Sequence, residues 1–66
     1  MLKEKELYII QPISLTINDE NTNEEIILEQ DEVIEVLKRK GITVVIKRMK
    51  TNEVFEVSER GLELSI

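Results

Sequence analysis

The residue types that could do chemistry in this chain are carboxylates, hydroxyls and basic side chains, because His, Cys and Trp are all absent. Without His, the hydroxyls of Ser14, Ser58 and Ser65 have no usual general base to activate them as nucleophiles. Only two glycines occur, Gly41 and Gly61, so neither a phosphate-binding loop nor a dinucleotide fingerprint is present. We therefore predict that the chain is not an enzyme, with no catalytic residue and no cofactor.

One spacing resembles a calcium-binding loop. Asp19, Asn21 and Asn23 stand at positions 1, 3 and 5 of that pattern. The pattern then fails twice, since Glu24 replaces the required Gly and Gln30 replaces the closing bidentate Glu. We expect a polar hairpin loop here and predict no metal site.

The basic residues of the second half form the strongest candidate surface. Two basic hairpin ends could contact phosphates, as several small barrels do with nucleic acid. The residues assigned to this alternative function are Lys38, Arg39, Lys47, Arg48 and Lys50. Strand parity argues against a single patch, because Lys47 points to the opposite face from Arg48 and Lys50. The other interpretation is a solvated rim that balances the acidic half of the chain.

Charge is strongly segregated along the 66 residues, which carry a net charge of −5. Residues 1–36 hold two bases against ten acids, whereas residues 37–66 hold seven bases against four acids. Such a chain can neutralise itself on folding or present an acidic and a basic face to partners. No apolar run approaches the length of a membrane span, so we expect one soluble domain over residues 1–66. We further expect a cytoplasmic location and no membrane partner.

Residues 7–17 are predicted to form a strand. Apolar residues of one parity recur through this segment, at Leu7, Ile9, Ile13, Leu15 and Ile17. Pro12 donates no ladder hydrogen bond, so it marks an edge position, a bulge or a break into two shorter strands. Residues 18–23 are a polar turn.

Two interpretations compete for residues 23–41. A helix over about 23–40 is favoured by the capping box of Thr22 and Glu25, and by Gly41 at the position of a left-handed stop. Two strands, 25–29 and 32–38, are favoured because five of the seven apolar residues are β-branched. We prefer the strands and keep the α+β domain, a strand followed by a helix and a hairpin, as the alternative.

The rest of the chain alternates short strands and turns. The strands are predicted over residues 42–47, 54–57 and 62–66, with turns at 40–41, 50–53 and 58–61. Asn52 is expected to take a positive φ in the second of these turns.

Residues 31–37, 40–45, 51–57 and 59–64 together resemble a Src-homology-3-like small β-barrel, a likeness that covers about residues 26–66. The resemblance implies an all-β barrel of about five strands, with a single 3₁₀ turn before the last one. It departs from the usual pattern at Gln30 and Asn52, where such barrels carry Gly. The members that bind Pro-rich peptides use a cluster of aromatic rings, but Tyr8 and Phe55 are the only rings here. Proline-helix recognition is therefore not expected.

These observations predict a small non-catalytic accessory protein, bacterial or encoded by a phage or mobile element, that acts by binding another protein. The segregated charges or an exposed strand edge near Pro12 would provide the contact. Homo-oligomerisation is a variant of this function, since a small core is often completed by a partner. Binding of nucleic acid by the basic hairpin ends is the alternative.

Overall fold

A computed structural model describes all 66 residues and contains six strands and one short helix. The strands are β1 (Leu7–Ile9), β2 (Ser14–Asp19), β3 (Glu24–Glu29), β4 (Val33–Lys40), β5 (Thr43–Arg48) and β6 (Glu53–Ser58), followed by the helix α1 (Glu59–Glu63). The predicted all-β class is confirmed. The alternative helix over 23–40 is wrong, because this segment forms β3 and β4, as its β-branched residues favour.

The strands form two antiparallel sheets that do not close on themselves. One sheet has four strands in the order β1-β4-β5-β6, and the other is the β2-β3 hairpin. The hairpin lies beside β6, where the Glu20 N–H donates to the Glu56 carbonyl at 2.7 Å. β4 is bulged between Val36 and Lys38, so its two halves pair with β5 in different registers.

The core lies between the inner face of the four-stranded sheet and the β2-β3 hairpin. Ile34, Val36, Val44, Ile46 and Val57 come from the four-stranded sheet and are completely buried. The hairpin, α1, the N-terminal segment and the β1-β2 connection supply the remaining core residues, which are Leu2, Ile10, Ile17, Ile26, Leu28 and Leu62. A core of aliphatic side chains alone is consistent with the near absence of aromatic residues from the chain.

The segment around Pro12 breaks the predicted strand 7–17 in two, which is one of the three outcomes expected of a proline there. β1 ends at Ile9 and β2 begins at Ser14. Leu7, Ile9 and Ile17 have one parity but do not share a buried face, since Leu7 and Ile9 are exposed while Ile10 and Ile17 are buried. The break explains the difference, because β1 and β2 belong to different sheets and need not share a face.

The predicted last strand over 62–66 is also wrong. α1 occupies residues 59–63, and Leu62 is buried while Leu64 is exposed. Glu59 provides an acidic side chain in the first turn, which favours a helix start. Part of a strand contact persists, since the Gln11 N–H donates to the Ser65 carbonyl at 2.7 Å. This helix of five residues is too short to cross a membrane, and the protein has no other helix.

The β4-β5 and β5-β6 turns follow the predicted chemistry, whereas the turn predicted over 58–61 is wrong, because residues 59–63 form α1. Asn52 has a φ of 63°, as expected, and Gly41 adopts the same left-handed conformation in the β4-β5 hairpin. In the β3-β4 turn, Asp31 takes the positive φ itself, at 71°. Asp tolerates this region better than most residues, so the turn forms without a Gly.

Candidate protein-binding face

The outer face of the four-stranded sheet is covered by no other element, and we call it the open face. Its apolar members are Leu7, Ile9, Val33, Val45, Met49 and Val54. Leu7, Ile9 and Val54 expose 57%, 49% and 53% of their surface, whereas the five aliphatic core residues of the inner face are completely buried. The sheet therefore carries apolar residues on both sides, but only one side is packed.

The strand register groups these side chains into rows. Ile9 lies opposite Val33, and the Met49 N–H donates to the Val33 carbonyl at 3.1 Å, which continues this row across β4. The next row runs from Leu7 through Glu35 and Lys47 to Val54. Because directly opposed residues of an antiparallel pair share a face and lie in contact distance, the apolar residues of β1 and β4 form one continuous cluster.

The charged members of the open face are mixed but slightly basic. Lys38, Lys40 and Lys47 accompany Glu35 and Glu56. Lys40 forms an ion pair with Glu56 at 3.6 Å, whereas Lys38 and Lys47 form none. The open face thus has a small net positive charge, although the protein as a whole has a net charge of −5.

Two of the five residues assigned to the nucleic-acid alternative are instead engaged in ion pairs at the margins of the core. The Arg39 guanidinium contacts both carboxylate oxygens of Glu59, with Nη2 donating to Oε1 at 3.0 Å. The same Glu59 accepts from the Leu2 N–H at 3.1 Å, and Arg39 Nη1 donates to the Leu2 carbonyl at 2.7 Å. Hydrogen bonding within this pair lowers the pKa of Glu59 and raises the pKa of Arg39. Arg39 therefore fastens the N-terminal segment to α1.

Arg48 makes the second such pair, with Glu32. Its Nε donates to Glu32 Oε1 at 2.7 Å and its Nη2 donates to Oε2 at 2.6 Å. The Glu29 N–H also donates to Glu32, at 2.8 Å. The hydrogen bonds from Arg48 are the main reason that the pKa of Glu32 falls from 4.5 to about 2, against the opposing effect of burial.

The structure does not gather the five basic residues into one surface. Arg39 and Arg48 share the parity of the core residues Val44 and Ile46, whereas Lys38 and Lys47 lie on the open face. Lys50 lies in the β5-β6 turn and pairs with Glu29 at 3.4 Å.

In the polar loop that resembles a calcium site, Asp19 accepts hydrogen bonds from backbone N–H groups of the same loop. Asp19 is buried, its Oδ1 accepts from the Asn21 N–H at 2.9 Å, and its carbonyl accepts from the Asn23 N–H at 2.7 Å. No group of three or more acidic side chains is arranged to hold a metal ion. The surface also has no pocket.

Comparison with protein-family models, with curated proteins and with solved structures gives no significant match to this chain. Sequence reasoning missed the open face, because the alternation of Leu7 and Ile9 does not show which side of the strand is packed. The sequence did contain one signal. Ile9 and Ile10 are adjacent, so in a strand they point to opposite faces and only one of them can lie on the packed side.

Proposed function

We propose that this protein is a small non-catalytic binding module that recognises another protein through its open face. The observation that carries the proposal is the apolar cluster of Leu7, Ile9 and Val33, which continues to Met49 and is left uncovered by the rest of the fold. Contiguous exposed apolar patches rimmed by charged residues are typical of protein-protein interaction sites. A sheet face without a pocket suits a protein partner better than a small molecule.

The charges on the open face favour a partner that carries acidic side chains beside apolar ones. Lys38 and Lys47 have no ion-pair partner within the protein, so they can receive carboxylates from a partner. Unpaired surface charges of this kind steer association and select partners more than they add affinity. Val45 lies opposite Lys38, and the row of Glu35 and Lys47 separates it from Val33 and Met49.

We further propose that the fold is a Src-homology-3-like barrel whose two sheets do not close into a complete barrel. The topology supports this assignment, because β1 pairs with the first half of β4, the β2-β3 hairpin lies between them in the chain, and β4, β5 and β6 form a meander. The short helix α1 follows the meander, where such barrels carry their single turn. A cytoplasmic location and a bacterial, phage or mobile-element origin stay predictions.

Site-specific photo-crosslinking in a cell extract tests the proposed surface. A photoreactive residue replaces Met49 in the apolar cluster of the open face or, as a control, Ile27 on the outer side of β3, which is also exposed. We expect a discrete adduct with one protein from position 49, competed by unmodified protein, and none from position 27. Adducts of equal yield from both positions, or from position 27 alone, would overturn the proposal.

A further inference from the structure

The outer edge of β1 has free backbone hydrogen-bonding groups. The Val36 N–H donates to the Glu6 carbonyl at 3.0 Å, and the Ile10 N–H donates to the Glu32 carbonyl at 2.9 Å. Hydrogen-bonded pairs alternate along an antiparallel ladder, so the backbone groups of Leu7 and Ile9 point away from β4. β4 is the only strand paired with β1, and no other backbone group bonds to Leu7 or Ile9.

The same two residues carry exposed apolar side chains. Leu7 and Ile9 both lie on the open face, whereas Tyr8 between them points inward, and its hydroxyl accepts from the Lys3 N–H at 2.9 Å. An edge strand with unpaired backbone groups and apolar side chains is a template for another strand. Natural edges are usually protected by charges on the strand itself, but β1 has none.

We propose that two copies of this chain pair through β1, antiparallel and around a two-fold axis. In the proposed register Leu7 lies opposite Ile9 of the second copy, and Tyr8 lies opposite its own counterpart. Each Leu7-Ile9 pair exchanges two backbone hydrogen bonds, so the two pairs supply about four. The two four-stranded sheets then become one continuous sheet of eight strands.

The pattern of β1 fits a second copy because a two-fold contact requires a self-complementary strand. The order apolar, aromatic, apolar in Leu7–Ile9 is the same in both directions. Beyond the strand, the register places Glu6 opposite Ile10 and Lys5 opposite Gln11, so no like charges oppose each other despite the net charge of −5.

The open face supplies a second contribution to the contact. Ile9 lies beside Val33 in one copy, and Leu7 of the second copy would lie on its other side. The apolar clusters of the two copies thereby merge into one. The strand is short, since Lys5 with a φ of 67° precedes it and Pro12 follows it. A contact of this size belongs to the weak, reversible class, with a Kd on the order of 10–1000 µM.

Sedimentation equilibrium of the purified protein tests this pairing without any other partner, so its result is independent of the proposed function. We expect a reversible monomer-dimer equilibrium between about 10 µM and 1 mM. The double variants Leu7→Lys with Ile9→Lys, and Leu7→Glu with Ile9→Glu, should each be monomeric over this range. Mixed together they should form a heterodimer, because each Lys then faces a Glu across the β1 edges.

The variant Val54→Lys is the matched control, since Val54 lies on the open face but on the strand at the other end of the sheet. It should dimerise like the natural protein. In the natural protein, the amide hydrogens of Leu7 and Ile9 should exchange more slowly as its concentration rises. The proposal fails if the natural protein is monomeric at 1 mM, if the double variants still form homodimers, or if Val54→Lys abolishes the dimer.

Discussion

Glu32 and Arg48 lie 16 positions apart in the chain and form a two-point ion pair that joins the β3-β4 turn to the end of β5. Both side chains are largely withdrawn from solvent, and Glu32 has its third hydrogen bond from the Glu29 N–H. A carboxylate with this many donors is held in its charged form, which is why its pKa is so low. The pair lies at the end of the core where the β3-β4 turn approaches the end of β5.

Replacing Glu32 with Gln should therefore change how stability depends on pH. The pKa of Glu32 falls from 4.5 to about 2 in the folded protein, so its contribution is complete above about pH 4.5 and is lost as the pH falls toward 2. At neutral pH we expect Glu32→Gln to lower the free energy of unfolding by about 1–3 kcal/mol. Urea denaturation at pH 7 and pH 3 measures the free energy of unfolding of the variant and of the natural protein. The difference between these two free energies should be smaller at pH 3 than at pH 7.

Glu29→Gln is the control for this experiment. Glu29 is exposed and contacts only Lys50 through its side chain, at 3.4 Å. Its replacement should cost less than about 0.5 kcal/mol at either pH. A pH dependence in Glu32→Gln as steep as that of the natural protein would show that another carboxylate controls acid unfolding.

The pair formed by Arg39 and Glu59 should govern the order of the N-terminal segment. Arg39→Met removes the donors to both Glu59 and the Leu2 carbonyl, whereas Arg39→Lys keeps the charge but loses the planar two-point contact. We expect faster amide exchange at Leu2 in both variants, with the larger effect in Arg39→Met. Lys38→Met, which alters the neighbouring open-face residue, should leave the exchange of Leu2 unchanged. Equal rates in all these proteins would contradict the role assigned to Arg39.

The two faces of the four-stranded sheet should respond very differently to truncation. Ile46→Ala creates a cavity in the fully buried inner face and should cost about 2–5 kcal/mol, enough to unfold much of a domain of this size. Val54→Ala removes a smaller, half-exposed side chain and should cost less than about 1 kcal/mol. Thermal denaturation followed by circular dichroism compares the two. A larger loss in Val54→Ala would mean that the open face is packed in the isolated protein.

Local sequence chemistry was enough to predict β3 to β6 and their turns. The β-branched residues of β3 and β4 outweighed a good set of helix-capping signals, and Asn52 adopts the positive φ expected of it. These features depend on side chains close together in the chain, so a single sequence contains the necessary information.

Features that depend on distant residues could not be predicted in the same way. Leu62 and Leu64 alternate as a strand would, yet residues 59–63 form a helix, with Glu59 bound to Arg39 twenty positions earlier. The alternation of Leu7 and Ile9 likewise indicates a strand without showing which side is packed. Both questions are decided by tertiary contacts, and the ion pairs of Arg39 and Arg48 are invisible in the sequence for the same reason.

The placement of the basic residues leads to a prediction about nucleic acid. Arg39 and Arg48 are held by Glu59 and Glu32, so Lys38 and Lys47 are the residues of this set that face solvent without an ion pair. A phosphate-binding surface needs several such charges together, and its affinity falls steeply with salt. We expect fluorescence anisotropy of labelled single- and double-stranded oligonucleotides to show no saturable binding, even at low salt. Saturable binding that weakens with salt, and whose salt slope falls by about one in Lys47→Gln, would instead support nucleic-acid recognition through the open face.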